Sequence, residues 1–311
     1  MPSVVPPPAL VRNAVETWGA DGRRWLDDLP KIVDGVARDW RLNVGRTFDL
    51  SYHWVAEATR EDDGSAAVLK LGPTQPGHLD IEAAALGIFD GRGAVRLLEH
   101  DPARGALLLE RATPGTLARD LVPDRDEEAT AAVIGVARRL HRPAPPDCPL
   151  PDLSTESASF TEHLRRFPGD DPLPRHLVER AGRLFDELCA DAADRVVLHG
   201  DLHHDNVLRA DREPWLAIDP HGWVGDPGYE AGTLLYNPDP DDRDEDLLKL
   251  MPTRVEQLAD GLALPLERVE AWGFVTAVLS EVWTAEAWTP DEPTGTTRAL
   301  DVALQLLPRL S

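Results

Sequence analysis

Asp201, Asn206 and Asp219 are spaced five and thirteen residues apart along the chain. That combination suits phosphoryl transfer, a reaction that asks a protein mainly for positioning and charge neutralisation. One carboxylate must stand beside the attacking hydroxyl, and Asp201 suits that role. Two oxygen donors must hold Mg²⁺ against nucleotide phosphates, since hard cations take such ligands. Asn206 and Asp219 suit this second role. A tight loop followed by a β-hairpin would bring all three around one point.

The surrounding stretch, His199-Gly200-Asp201-Leu202-His203-His204-Asp205-Asn206, reads H-x-D-L-x-x-x-N, the catalytic-loop pattern of kinases. Two other readings stay open. Asp, Asn and Gly are ordinary turn residues. The run His199, Asp201, His203, His204, Asp205 also resembles the start of a dinuclear metal hydrolase. Such a site needs further ligands from other loops, and His53, His78 and His163 have no carboxylate or cysteine at ligand spacing.

The kinase pattern demands an upstream lysine–glutamate pair. The chain has only three lysines, and Lys70 lies inside the apolar run Ala66–Leu71. A buried ammonium needs an anionic partner. Glu82, at the start of an expected helix, is the candidate. A phosphate-covering loop is expected over Gly45–Tyr52, through backbone amides near Leu50–Tyr52 and the Ser51 hydroxyl. The backbone groups of Glu110 and Ala112, where a strand runs into a link, are placed to pair with an adenine edge.

The elements that must position these residues follow from periodicity. Residues 9–40 read as short helices, with Leu26, Leu29, Ile32, Val33 and Val36 at helical spacing. Residues 41–45, 52–59, 66–71, 95–99 and 106–111 read as strands, with a helix over 79–89. After Ala112 the pattern turns helical: 127–141, 160–167, 173–191 and most of the chain beyond 244. Short strands are expected at 196–198, 206–209 and 215–218. The expected fold class is α+β and bilobal. Residues 1–111 form a small antiparallel-sheet lobe with one key helix, and 112–311 a larger, mostly helical lobe.

Composition narrows the partners. In 311 residues, 32 Lys and Arg stand against 55 Asp and Glu, a net charge of −23. Such a field repels nucleic acid and anionic lipid and favours a cationic small molecule. Two cysteines and no CxxC suggest a reducing compartment. The first residues lack a signal-peptide pattern, and no apolar run reaches the ~20 residues of a membrane span. The expectation is a cytoplasmic protein, a monomer or weak dimer.

Taken together these segments resemble the aminoglycoside and hydroxyurea phosphotransferase family, and within it the streptomycin 6-kinase branch. The resemblance runs through Phe48–Val55, Ala67–Gly72, Leu107–Arg111, Leu198–Asn206 and Ala217–Pro227. It implies a protein-kinase-like fold and ATP- and Mg²⁺-dependent O-phosphorylation. By position, Asp201 would be the catalytic base, and Asn206 and Asp219 would bind Mg²⁺. Lys70, held by Glu82, would contact the α- and β-phosphates. His199 and His203 would brace the loop, and Asp226 would pin the next turn through backbone amides. The branch often has lysine where this chain has His221. A guanidinium-bearing acceptor calls for carboxylates and tryptophan faces; Glu230, Glu281, Trp283 and Glu286 are the candidates. Rival readings are a kinase for hydroxyurea, a sugar or another hydroxylated metabolite, and a nucleotide-binding protein without catalysis.

Overall fold

The computed structural model describes residues 4–50, 52–74, 78–289 and 295–310. The chain divides after Thr113 into two compact units.

The first unit begins with α1 (Pro8–Asp39). Short helices were expected there. The structure agrees: two helical segments meet at a kink at Gly19, whose φ of 55° and ψ of −121° are non-helical. The apolar stripe of α1 (Leu10, Ala14, Trp25, Leu29, Val33, Val36) is buried. Five strands follow: β1 (Leu42–Thr47), β2 (Trp54–Arg60), β3 (Ala66–Leu71), β4 (Leu97–Asp101) and β5 (Ala106–Glu110). The helix α2 (His78–Phe89) joins β3 to β4. The strands form one antiparallel sheet in the order β1-β2-β3-β5-β4.

In β3, the two-residue period of a strand decides where Lys70 points. Ala67, Leu69 and Leu71 face α1 in one core with Trp54, Ala56 and Leu108. Each fully buried leucine there contributes about 1.5–3 kcal/mol. Lys70 therefore lies on the opposite face, where α2 packs. It stands between Val55 of β2 and Leu107 of β5.

The second unit is mostly helical: α3 (Asp126–Leu140), α4 (Ser157–Arg166), α5 (Arg175–Ala190), α6 (Tyr229–Tyr236), α7 (Glu245–Leu248), α8 (Met251–Leu262), α9 (Leu266–Thr284) and α10 (Arg298–Leu306). Among them lie β6 (Pro114–Leu117), β7 (Val196–Leu198), β8 (Val207–Ala210), β9 (Trp215–Ala217) and β10 (Trp223–Gly225). β7 pairs with β10, and β6, β8 and β9 form a three-stranded sheet. The loops 199–206 and 218–222 connect these two small sheets, β7 to β8 and β9 to β10. Among the described residues, no helix is long and apolar enough to cross a membrane.

Candidate active site

Two backbone bonds draw the two loops together, and a third closes the first loop on itself. Ile218 N donates to Asn206 O at 3.0 Å, Gly222 N donates to His199 O at 2.9 Å, and Asn206 N donates to His203 O at 3.0 Å. Gly200 makes the turn that turns Asp201 out. Its φ is +89°, and a Cβ there would lie 2.5 Å from Trp223 Cδ1.

His199 is fully buried and cross-braces the loops. Its Nε2 lies 2.8 Å from Ile218 O, and its Nδ1 accepts from Asp201 N at 3.2 Å. A carbonyl only accepts, so Nε2 carries the proton and the ring is neutral. Burial, its largest influence, pushes the imidazole down to about 4.

His203 is the opposite case. Its ring lies between two carboxylates, with Nε2 3.5 Å from Asp201 Oδ2 and Nδ1 3.4 Å from Asp205 Oδ2. Burial opposes a charge on this ring, but Asp201 and then Asp205 outweigh it and raise it to about 10. Asp201 reads the same contact in reverse. Burial alone would raise its carboxyl; His203, with smaller help from His221 and His199, holds it well below the usual carboxylate range. His221 Nε2 stands 3.9 Å from Asp201 Oδ2, at the outer limit of an ion pair.

Asn206 Nδ2 donates to Asp201 O at 2.8 Å and to Asp201 Oδ2 at 3.1 Å. That fixes the amide with Oδ1 turned away from Asp201. Asp219, on the neighbouring loop, adopts a left-handed φ of 60°, an uncommon conformation for a non-glycine residue. Asn206 Oδ1 and the Asp219 carboxylate are hard oxygen donors, which fits a small divalent cation that keeps several waters. The dinuclear-hydrolase alternative lacks its cluster: among the described residues, no three His, Cys, Asp or Glu side chains come together to hold a metal.

Asp226 is buried just beyond β10. Its Oδ1 accepts from Gly228 N at 2.7 Å, and its Oδ2 accepts from Arg268 Nε at 2.9 Å. The first contact is the turn-pinning expected of it; the second is non-local.

In the first unit, Lys70 Nζ donates to Glu82 Oε2 at 2.6 Å, with the two residues only 5% and 2% exposed. Ser51 lies outside the described residues. Its neighbours Leu50 and Tyr52 are exposed. Glu110 N donates to Arg96 O at 2.8 Å, and Glu110 Oε2 accepts from Arg96 N at 2.9 Å. Its N–H is thus committed to the strand and is not available to a base edge. Ala112 follows β5 on a half-buried link.

Two residues assigned to the acceptor need correction. Glu230 is 3% exposed, and its Oε1 accepts from Gly200 N at 3.0 Å. It braces the turn beside Asp201 from inside the protein. Glu281 is 2% exposed. Its Oε1 accepts from Thr297 N at 2.8 Å, Thr297 Oγ1 at 2.6 Å and Leu300 N at 3.1 Å. It satisfies the orphan amides at the start of α10. Neither carboxylate has a surface to offer a ligand. Trp283 and Glu286 are exposed, as an acceptor contact requires. Glu286 lines a cavity of about 410 Å³ with Ser159, Glu162, His163, Arg166 and Phe167. Glu156, which the sequence gave no reason to single out, accepts from Ser159 Oγ at 3.4 Å. Burial raises its carboxyl, Glu286 adds to the rise, and His221 opposes it.

The Glu230 brace has a measurable signature. Burial pushes its carboxyl up to about 7 from an ordinary 4.5, the Gly200 and His199 amides opposing and Asp201 adding. The folded protein then binds more protons than the unfolded chain in that window. Its contribution is present below the unfolded value and lost as pH rises through about 7. Glu230→Gln keeps an acceptor for Gly200 N and removes the titration. Urea unfolding at about pH 5 and about pH 8 should therefore show the variant gaining on wild type at the higher pH. Parallel profiles would contradict the buried brace.

The streptomycin 6-kinase of Streptomyces glaucescens is 31% identical over 287 residues, covering 90% of this chain and 91% of that protein. The hydroxyurea phosphotransferase of Kitasatospora aureofaciens is 34% identical over 284 residues, covering 90% and 80%. Among solved structures, a choline/ethanolamine kinase family protein from Mesorhizobium loti aligns with a TM-score of 0.62 at 16% identity, over 92% of this chain and 93% of that one. This likeness shows the α+β, protein-kinase-like fold. The family model described as aminoglycoside/hydroxyurea antibiotic resistance kinase matches residues 47–287. As that match covers well over half of its length, the chain belongs to the aminoglycoside/hydroxyurea antibiotic resistance kinase family.

Proposed function

We propose that this kinase uses ATP and Mg²⁺ to phosphorylate a hydroxyl of streptomycin or a related aminoglycoside. The observation that carries the reading is Asp201, held as an anion by His203 and oriented by Asn206 Nδ2. So depressed a carboxylate does not strip the acceptor hydroxyl in advance. It orients the O–H and takes the proton as the acceptor oxygen bonds to the γ-phosphorus and the bond to the ADP oxygen breaks. Asn206 and Asp219 would hold Mg²⁺, which neutralises charge on the phosphates when bound. Lys70 binds the α- and β-phosphates with Glu82 fixing its ammonium.

Charge supports a cationic acceptor. Residues 1–113 hold 13 basic and 17 acidic side chains; residues 114–311 hold 19 and 38. The acid is concentrated in the unit that carries Asp201, and such a field raises the local concentration of a polycation. Glu156 and Glu286 are the carboxylates that a guanidinium would relieve. We place the enzyme in the cytoplasm, where its nucleotide is supplied. Hydroxyurea is the second reading, favoured by the 34% identical relative that acts on it.

The test is mass spectrometry of streptomycin, other aminoglycosides and hydroxyurea after incubation with the protein, ATP and Mg²⁺. One added phosphate on streptomycin is expected. Phosphate on hydroxyurea alone would move the assignment to the second reading, and no product at all would overturn both acceptors.

A further inference from the structure

Arg119 lies on the turn Ala118–Leu121, directly after β6. β6 pairs with β8 through Leu117 and Leu208, which anchors this turn beside the loop that precedes β8. The guanidinium spans two segments far apart in sequence. Nη1 donates to Asp205 Oδ1 at 2.8 Å, and Nη2 pairs with the carboxylate of Asp239. Asp205 is the residue that faces His203 Nδ1, and His203 Nε2 faces Asp201. Arg119, Asp205, His203 and Asp201 therefore form one continuous row of contacts, partly buried along its length.

The other arm reaches a loop of unusual backbone. Asp239 and Arg243 both have left-handed φ, 50° and 47°. The buried Arg254 and Arg298 hold this loop by its carbonyls. Arg254 Nη1 donates to Asn237 O at 2.6 Å, and Arg298 Nη2 donates to Asp239 O at 3.1 Å. Asp239, Asp241, Asp242 and Asp244 make the loop strongly acidic. Only a planar fork satisfies two carboxylates at once in this way; a lysine is a point charge on a flexible stem.

We infer that Arg119 is a positioning residue: it sets the orientation of Asp201 through Asp205 and His203, and ties the acidic loop 237–244 to the catalytic loop. Without it, the Asp205 carboxylate keeps only the contact to His203. The His203 ring is then free to shift toward either carboxylate, and Asp201 loses the contact that aims it. The effect falls on the chemical step, because the Arg119 guanidinium is committed to Asp205 and Asp239.

This inference rests on the reading of Asp201 as the base of phosphoryl transfer. The test is steady-state kinetics of Arg119→Gln, Arg119→Lys, Asp205→Asn and the double variant Arg119→Gln/Asp205→Asn. Each is also assayed for ATP hydrolysis without acceptor. Arg119→Gln should lower kcat roughly 10- to 100-fold, with KM for ATP and acceptor within about threefold. Asp205→Asn should do the same, and the double variant should be no worse than the poorer single, because both break one row. Arg119→Lys should recover part of kcat through Asp205.

A kcat within twofold of wild type in Arg119→Gln, with only a lower Tm, would overturn the proposal. So would a raised acceptor KM at unchanged kcat, or additive losses in the double variant. If Arg119→Gln does not fold, Asp205→Asn alone decides by the same split. If wild type phosphorylates no acceptor, the hydrolysis rates decide. Hydrolysis that survives Asp201→Asn would mean that the reading of Asp201 has failed, a result distinct from any Arg119 outcome.

Discussion

Asp201→Asn should reduce turnover by roughly 10²- to 10⁴-fold, the range expected for loss of a positioned acid–base group. Nucleotide affinity should stay close to wild type. Asparagine has the same shape, and Asn206 Nδ2 keeps the backbone carbonyl of residue 201 at 2.8 Å as a partner. What disappears is the anion. An amide presents the acceptor hydroxyl with no site for its proton, and His203 loses one of the two carboxylates that face it. The measurement pairs kcat with a calorimetric isotherm for Mg²⁺–ATP. Unchanged binding with lost turnover assigns Asp201 to chemistry; retained turnover sinks the role.

The variant has a stability signature as well. The Asp201 carboxyl is held below its unfolded value, so its charge stabilises the fold above that value and the contribution is lost as pH falls through the depressed one. Asp201→Asn should therefore be less stable than wild type near neutrality, and the gap should close in acid.

Why Asp201 is legible from sequence while Glu230 is not comes down to distance along the chain. Asp201, Asn206 and His203 are bonded within one eight-residue stretch, so residue type and spacing already encode the geometry. Lys70 is legible for a related reason. A lone ammonium in Ala66–Leu71 has to face one side of a strand, and the alternation of Leu69 and Leu71 decides which. Glu230 and Glu281 have partners 30 and 16 residues away, at Gly200 and Thr297. In a chain with 55 acids, nothing local separates a carboxylate that caps buried amides from one that waits for a cation. The short strands β6 and β10 fail for the same cause. Their pairing with β8 and β7 exists only in the fold. In α1 the apolar stripe was readable, and the position of the kink at Gly19 was not.

Lys70→Met should be both inactive and much less stable, and the two losses are separable. Lys70 and Glu82 are almost wholly buried and 2.6 Å apart. Removing one partner of such a pair leaves the other's charge desolvated, at a cost of about 3–5 kcal/mol. A pair replaced by apolar residues carries no such penalty. The double variant Lys70→Met/Glu82→Leu should therefore unfold at a higher urea concentration than Lys70→Met alone. It should still be inactive, because the ammonium that meets the phosphates is gone. Glu82→Gln is the third point. It keeps a hydrogen-bond acceptor for Lys70 Nζ and removes the negative charge, so its stability should fall between wild type and Lys70→Met. Its KM for ATP should rise, as an unanchored ammonium holds the phosphates less well. Urea midpoints for the four proteins, set beside their rates, give the decision. If the double variant is less stable than Lys70→Met, the pair is held by packing rather than by charge. If Lys70→Met keeps wild-type kcat and KM, Lys70 has no role toward the nucleotide, and the assignment of the first unit to phosphate binding falls with it.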